Sequence, residues 1–296
     1  MKCKICLSKS ELIYTKVKSI YNNQIYQIYN CNKCNLAFTN YDTESNTELI
    51  YKDTYDYDVN EIVKSEKIWR LKNNFSKIKH KVKLNNNSKI LDIGCMHGYL
   101  LDFLNKTYKS HCDGLEIENF YSKSLMNKNI KIFKQNLKEF ASDINNLNKY
   151  DFIILSHSLE HFENPAETIK IISTLLKKNG HCYIAVPNFE SKISILVKKN
   201  WGWLQPSVHY FHYKPSGLIK LFEESDFNLN VNFNQGGDTL FLLLTFYNIY
   251  NHFIGSSKKL YKKSYIKKII IKITSILFKY IYYIGDDESL FLFEKK

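Results

Sequence analysis

Four of the seven cysteines fall into two identical pairs, Cys3-x-x-Cys6 and Cys31-x-x-Cys34. Thiolates at this spacing share one tight turn, and two such turns supply the four sulfurs that tetrahedral zinc takes at about 2.3 Å each. A redox dithiol is the competing reading, but neither pair has a thioredoxin-like strand and helix beside it. Cys95, Cys112 and Cys182 are scattered along the chain, so the cysteines do not describe a disulfide framework. A second group of residues suits a ligand with positive charge and a sugar. In LDIGCMHGYL, Asp92, Gly94 and Gly98 stand where a strand must turn tightly into a helix. The glycines let backbone pass close to a ligand, and the carboxylate accepts hydrogen bonds from a cationic one. Eighteen residues beyond Gly98, the run GLEIE ends a second strand at Glu116. A carboxylate there can hold both hydroxyls of a ribose, and such a pair serves NAD equally well.

The elements that must position these groups are readable from apolar periodicity. Between the cysteine pairs, ELIYTKVKS and QIYQIYN alternate apolar and polar residues, which gives the strands of a zinc ribbon over residues 1–40. Residues 41–87 open with a Tyr- and Asp-rich linker, YKDTYDYD, and continue as one long helix. Its apolar residues Ile62, Trp69, Phe75 and Val82 recur at roughly helical spacing, and Asn85-Asn86-Asn87 breaks it. From residue 89 the pattern alternates between strand and helix: KILDIG, YLLDFLNKTY, HCDGLEI, NIKIFKQN, DFIILS and HCYIAVP, with helical runs between. That alternation builds a parallel α/β sheet whose ligand lies at the carboxyl ends of the strands.

The segments LDIGCMHG, GLEIE, YDFIILSHSLEHFENP, LLKKNGHCYIAVPN, HYFHYKPSGLIKLFEESDFN and GDDESLFLFEKK appear in an order that resembles the class I S-adenosylmethionine-dependent methyltransferases, in the branch with a strand–EH–P signature. The resemblance implies a Rossmann-like seven-stranded sheet over residues 88–296, with a helical insertion at 239–284 before the last strand. It also implies roles. Asp92 lies near the methionine end of the cofactor, Gly94 and Gly98 approach it, and Glu116 holds its ribose. Asn136 stands where the family often has Asp near the adenine amine, and Ser156 contacts cofactor through backbone or hydroxyl. The middle glycine of the family's GxGxG is Met96 here, which puts a side chain at that turn. A cysteine ribbon, a Tyr-rich linker and this core together resemble sugar C-methyltransferases and related enzymes of surface glycans.

Transfer of a methyl group to oxygen or carbon requires removal of a proton from the acceptor, and neutral imidazole suits that task. His209, in PSVHYFHYKP, aligns with the histidine of the family's active-site loop, although the Glu that often precedes it is Val208. His157 directly follows the fourth strand and is the second candidate; an ordinary loop position and a structural hydrogen bond are the plain alternatives for the two. Neither the N/D/S-P-P-aromatic tetrapeptide of exocyclic amine methylation nor a Pro-Cys nucleophile of pyrimidine chemistry occurs. The acceptor implied is a sugar, a glycan precursor or a glycolipid. A zinc-ribbon RNA methyltransferase and an inactive cofactor-binding relative are the alternatives.

Composition agrees with a globular chain. Of the 296 residues 44% are hydrophobic, and the mean hydropathy is −0.34. The opening MKCKICLSKS lacks the apolar core of a secretory signal, and no uncharged apolar run reaches about 18 residues, so the expected location is cytoplasmic. The net charge of +13 argues little for nucleic acid, because one of the 42 basic residues, Arg70, is the only arginine. Residues 256–280 hold eight lysines and no acid. Within them Lys268, Lys272, Ser275 and Lys279 form one polar stripe on an otherwise apolar helix. Such a stripe suits peripheral contact with an anionic membrane or a homodimer through 239–284, beside ordinary packing over the core.

Overall fold

The change of pattern at residue 89 marks the start of a parallel sheet in the computed structural model, which describes residues 1–19, 21–22, 24–41, 61–118, 129–237, 245–246, 248–249 and 285–296. Nearly all of 239–284, with its lysine stripe, lies outside the described residues, as does the linker at 42–60. The described residues group into two compact units. One takes its members from Met1–Tyr55, Pro187–Gly217 and Asn234–Ser289; the other from Asp56–Val186, Leu218–Phe233 and Leu290–Lys296.

The second unit holds most of the sheet. Its strands are β4 (Lys89–Ile93), β5 (His111–Leu115), β6 (Ile130–Phe133), β7 (Tyr150–Ser156), β8 (Leu176–Pro187), β10 (Phe227–Gln235) and β11 (Glu288–Lys295), in the order β10-β11-β8-β7-β4-β5-β6. The five strands from β8 to β6 run parallel, with Asp92 opposite Gly114 and Ile153 opposite Cys182. Strands β11 and β10 follow β8 at the other end of the order. Asn234 pairs with Ser289, while Asn230 pairs with Glu294, so β11 runs antiparallel to β10.

Helices fill the crossovers. They are α1 (Glu61–Val82), α2 (Tyr99–Tyr108), α3 (Leu137–Ser142), α4 (Pro165–Leu175) and α6 (Pro215–Glu223). The long helix read from the sequence is α1, and it ends at Val82 before the asparagine run. Phe75, Ile78 and Val82 on its inner face join Leu101 and Leu104 of α2 and Phe152 of β7 in one core. Asn164 caps α4, its side chain accepting the Glu167 N–H, and Pro165 takes the first helical position, where its missing N–H costs nothing.

The first unit is built on a four-stranded antiparallel sheet. Its strands are β1 (Glu11–Lys18), β2 (Ile25–Cys31), β3 (Leu36–Asn40) and β9 (Phe211–His212), in that order. Inward residues Val17, Ile28 and Ala37 pack with Phe189, Trp201, Trp203 and Leu204. The short helix α5 (Lys192–Val197) follows Ser191, whose hydroxyl accepts the Ser194 N–H. The ribbon strands therefore share a core with a segment that lies some 150 residues later in the chain.

Candidate functional site

The cradle in the second unit begins where β4 stops. Gly94 donates to the Leu115 carbonyl at 2.8 Å, and its backbone takes φ +79°. A Cβ at Gly94 would stand 2.8 Å from the Ser158 Cβ, so the position excludes any side chain. Gly98 closes the turn at φ +70° and leads α2. Met96, between them, also adopts a left-handed conformation, φ +43°. An L-residue pays roughly 1–2 kcal/mol for that, which is why the resembling family uses glycine there. The Met96 N–H is put to use, because it donates to Glu116 Oε2 at 2.9 Å. Glu116 Oε1 accepts from Ile117 and Glu118, so three backbone donors fix its carboxylate at the end of β5.

Two carboxylates thus face one end of the sheet. Asp92 is buried, and its carboxyl is pushed up to about 7 by burial and then by the charge of Glu116. Burial likewise raises Glu116, against the pull of its three N–H donors. A cationic ligand with a vicinal diol meets both needs: positive charge relieves Asp92, and hydroxyls complete the coordination of Glu116. Ser158 Oγ, buried with no hydrogen-bond partner among the described residues, lies beside the glycine turn. The donor set fits S-adenosylmethionine, with Asp92, Glu116, Gly94 and Gly98 as the residues that would hold it.

Ser156 ends β7, and His157 follows it at φ +54°, its N–H bonded to the Ala185 carbonyl at 2.8 Å. The His157 Nδ1 lies 3.6 Å from Glu160 Oε1. Both Glu160 carboxylate oxygens are buried without a hydrogen bond among the described residues. Glu160, with His161, is the EH of the strand–EH–P signature, but neither its burial nor that of Ser158 is revealed by spacing. Asn136 occupies a different post from the one expected at a strand end. Strand β6 stops at Phe133, and Asn136 caps α3 in a reciprocal box with Glu139: its Oδ1 accepts the Glu139 N–H at 3.0 Å while Glu139 Oε2 accepts the Asn136 N–H at 3.2 Å.

In the first unit the sulfurs of Cys3, Cys6, Cys31 and Cys34 all lie within 4.8 Å of one another. Cys3 and Cys34 stand 3.9 Å apart, and Cys6 and Cys31 3.6 Å. Four thiolates at about 2.3 Å from a central ion would be separated by about 3.8 Å, so the cluster fits zinc. In each knuckle a backbone N–H donates to the first sulfur, Ile5 to Cys3 Sγ and Cys34 to Cys31 Sγ, and Leu7 and Asn35, each one residue past a pair, turn left-handed at φ +60° and +53°.

His209 is buried in the same unit, with Nδ1 2.8 Å from the Trp203 carbonyl. A carbonyl only accepts, so the neutral ring carries its proton on Nδ1 and its lone pair on Nε2. Nearby, Thr39 Oγ1 donates to the His209 carbonyl at 2.8 Å and lies 3.0 Å from His212 Nε2. That hydroxyl has spent its one proton, so His212 must be the donor through Nε2. Burial holds His212 neutral, lowered to about 3.

Residues 65–231, more than half the chain, match the family described as "Methyltransferase domain". The chain belongs to that family, and its strand order and cradle make it a class I S-adenosylmethionine-dependent methyltransferase domain, joined to a four-cysteine ribbon. A mitochondrial ubiquinone biosynthesis O-methyltransferase of Dictyostelium discoideum is 22% identical over 157 residues. That match covers 46% of this chain and spans about half, 49%, of the curated relative's length. Among solved structures, phosphoethanolamine N-methyltransferase 2 of Haemonchus contortus, in complex with S-adenosyl-L-methionine, superposes with a TM-score of 0.56 at 14% identity, over 83% of this chain and 59% of that one. A protein of Galdieria sulphuraria assigned as a sarcosine dimethylglycine methyltransferase gives 0.50 at 14% identity, over 78% and 86%. At these identities the structures show the shared fold. Among the described residues, no helix is long and apolar enough to cross a membrane.

Proposed function

We propose that the protein transfers the methyl group of S-adenosylmethionine directly to an oxygen or carbon of a small molecule, and that the acceptor is a sugar, a glycan precursor or a glycolipid. The observation that carries the transfer reading is the pair of carboxylates at the ends of β4 and β5, buried Asp92 and half-buried Glu116, arranged round a turn that admits no side chain at Gly94. Small-molecule acceptors are supported by the relatives, whose names specify ubiquinone biosynthesis, phosphoethanolamine and sarcosine. The narrower sugar reading rests on the order of cysteine ribbon, Tyr-rich linker and methyltransferase core.

The cofactor, when bound, supplies an electrophilic methyl on a sulfonium. The chain's own work is to orient it and to take a proton from the acceptor. Asp92 faces the cationic end, Glu116 the ribose, and Gly94 and Gly98 let backbone approach. Asn136 and Ser156 complete the cofactor set, Asn136 through the side-chain amide that its helix cap leaves over. His209 is the general base, with Nε2 as the accepting atom, and His157 at the end of β7 is its alternate. The ribbon holds a structural zinc.

A screen with methyl-labelled S-adenosylmethionine against nucleotide sugars, lipid-linked glycans, phenols and RNA tests the assignment. Label should enter a small acceptor. Single-turnover kinetics on that acceptor should then show His209→Gln slower by about 10²–10⁴-fold with unchanged cofactor affinity, the range of general-base catalysis. An unchanged chemical step would pass the role to His157. No incorporation into any acceptor despite tight cofactor binding would favour the inactive relative.

A further inference from the structure

We infer that the cysteine ribbon, with its metal, is the positioning element for the His209 segment, and that the Thr39 hydroxyl is the residue through which it acts. The inference rests on the reading of His209 as the proton acceptor.

Strand β3, which starts two residues after Cys34, pairs directly with the backbone of the His209 segment. Ala37 pairs with His212 and Phe38 with Phe211. The Thr39 N–H donates to the Tyr210 carbonyl at 3.0 Å, and its wholly buried hydroxyl joins the His209 carbonyl to the His212 ring. The second knuckle is keyed to the chain just beyond. Asn35 donates through Nδ2 to Ser216 Oγ at 2.6 Å and accepts from Lys214 Nζ at 3.3 Å. A Cβ at Gly217 would lie 2.1 Å from the Asn35 carbonyl oxygen. On the other side, Tyr41 packs on Tyr210 with ring centroids 4.5 Å apart, and Lys4, within the first knuckle, sits over both rings.

The energetic logic follows from length. A stretch as short as residues 1–41 buries too little apolar surface by itself; it completes its core with Phe189, Trp201, Trp203 and Leu204, and thiolate–metal bonds add the stabilisation that chains this short need. The metal therefore fixes the knuckles, the knuckles fix β3, and β3 fixes the backbone and ring of the two histidines. Strands β4 and β5, which carry the cofactor carboxylates, belong to the other unit and take their register from their own neighbours.

The test uses the full chain. Zinc removal by a strong chelator, followed by amide hydrogen exchange, should raise exchange at 36–40 and 209–213 by about tenfold or more, since the metal supplies part of the stability that protects them. Exchange at 89–93 and 111–115, and S-adenosylmethionine affinity by calorimetry, should stay within about twofold. Unchanged protection at 209–213, or equal loss at 89–93, overturns the inference. Thr39→Val keeps the shape and should keep one zinc per chain, yet it should shift the imidazole nitrogen resonances of His212 and lower turnover about tenfold at unchanged acceptor KM. Thr39→Ser should restore both. A valine variant with wild-type resonances and turnover also overturns it. Should His209→Gln retain full turnover, the base assignment fails by itself, and the metal-linked protection of 209–213 still stands or falls on the exchange data.

Discussion

At Asp92, burial and a neighbouring carboxylate both oppose ionisation, and a carboxyl held at about 7 makes the cofactor site sensitive to pH. In the free protein below that value Asp92 is protonated and must release a proton before it can pair with a cation. S-adenosylmethionine affinity should therefore rise with pH up to about 7 and level above it, by as much as tenfold per unit on the acid side. Calorimetry at pH 5.5, 6.5 and 8 in buffers of different ionisation enthalpy would also show proton release at the lower values; a flat profile would refute the assignment. The same shift acts on stability. Because the folded-state value is raised, the ionised carboxylate destabilises the cofactor-free fold, from about pH 4 upward and in full above about 7. Asp92→Asn should make the free protein more stable at pH 8, on the order of 2–4 kcal/mol, and hardly change it at pH 3.5. Glu116 differs, since three N–H donors already anchor it. Glu116→Ala should cost about 1.5–3 kcal/mol of cofactor binding, roughly ten- to hundredfold, as the diol loses a charged partner. Glu116→Gln, which keeps an acceptor oxygen, should lose less.

Among the elements, what could be read in the sequence was what is local. Five strands of the parallel sheet announce themselves as short apolar runs, and the knuckles as repeated cysteine spacing, because pleat and metal geometry are set within a few residues. The join between β3 and β9 is invisible to such reading. It pairs Phe38 with Phe211, and no periodicity encodes a partner that far along the chain. The burial of Ser158 and Glu160 escapes notice for the same reason, since it depends on the neighbours of β7. Asn136 is the opposite case: its N-x-x-E cap is a local signal, complete within one turn of helix. Gly217 shows how tightly the distant pieces fit. It lies in the first turn of α6, and an added methyl would meet backbone atoms of Cys34 and Asn35. Gly217→Ala should lower stability by about 1–3 kcal/mol, as overpacking does. It should also speed zinc loss to a chelator, measured by the absorbance of a metal-binding dye. A variant as stable and as slow to release zinc as the wild type would show that the knuckle is free to move.

For the molecule as a whole, the open choice is between a small acceptor and RNA, and net charge alone does not make it. A chain at +13 will bind polyanions at low salt whatever its function, by releasing counterions from the phosphates. Sequence recognition asks for more. Bidentate contacts to guanine and phosphate favour arginine, and the chain has a single one, Arg70, which is buried. Lysines act as point charges and read no base. Fluorescence anisotropy should thus find RNA affinity that is equal for unrelated single strands and that falls about tenfold or more between 50 and 200 mM salt, as expected when several phosphates are neutralised. Under the same conditions labelled methyl should enter a small acceptor at both salt concentrations, because transfer depends on the cradle and the base and not on the field of the surface. Methyl incorporation into one RNA and not another, persisting at the higher salt, would reverse the choice and make the lysines part of the site.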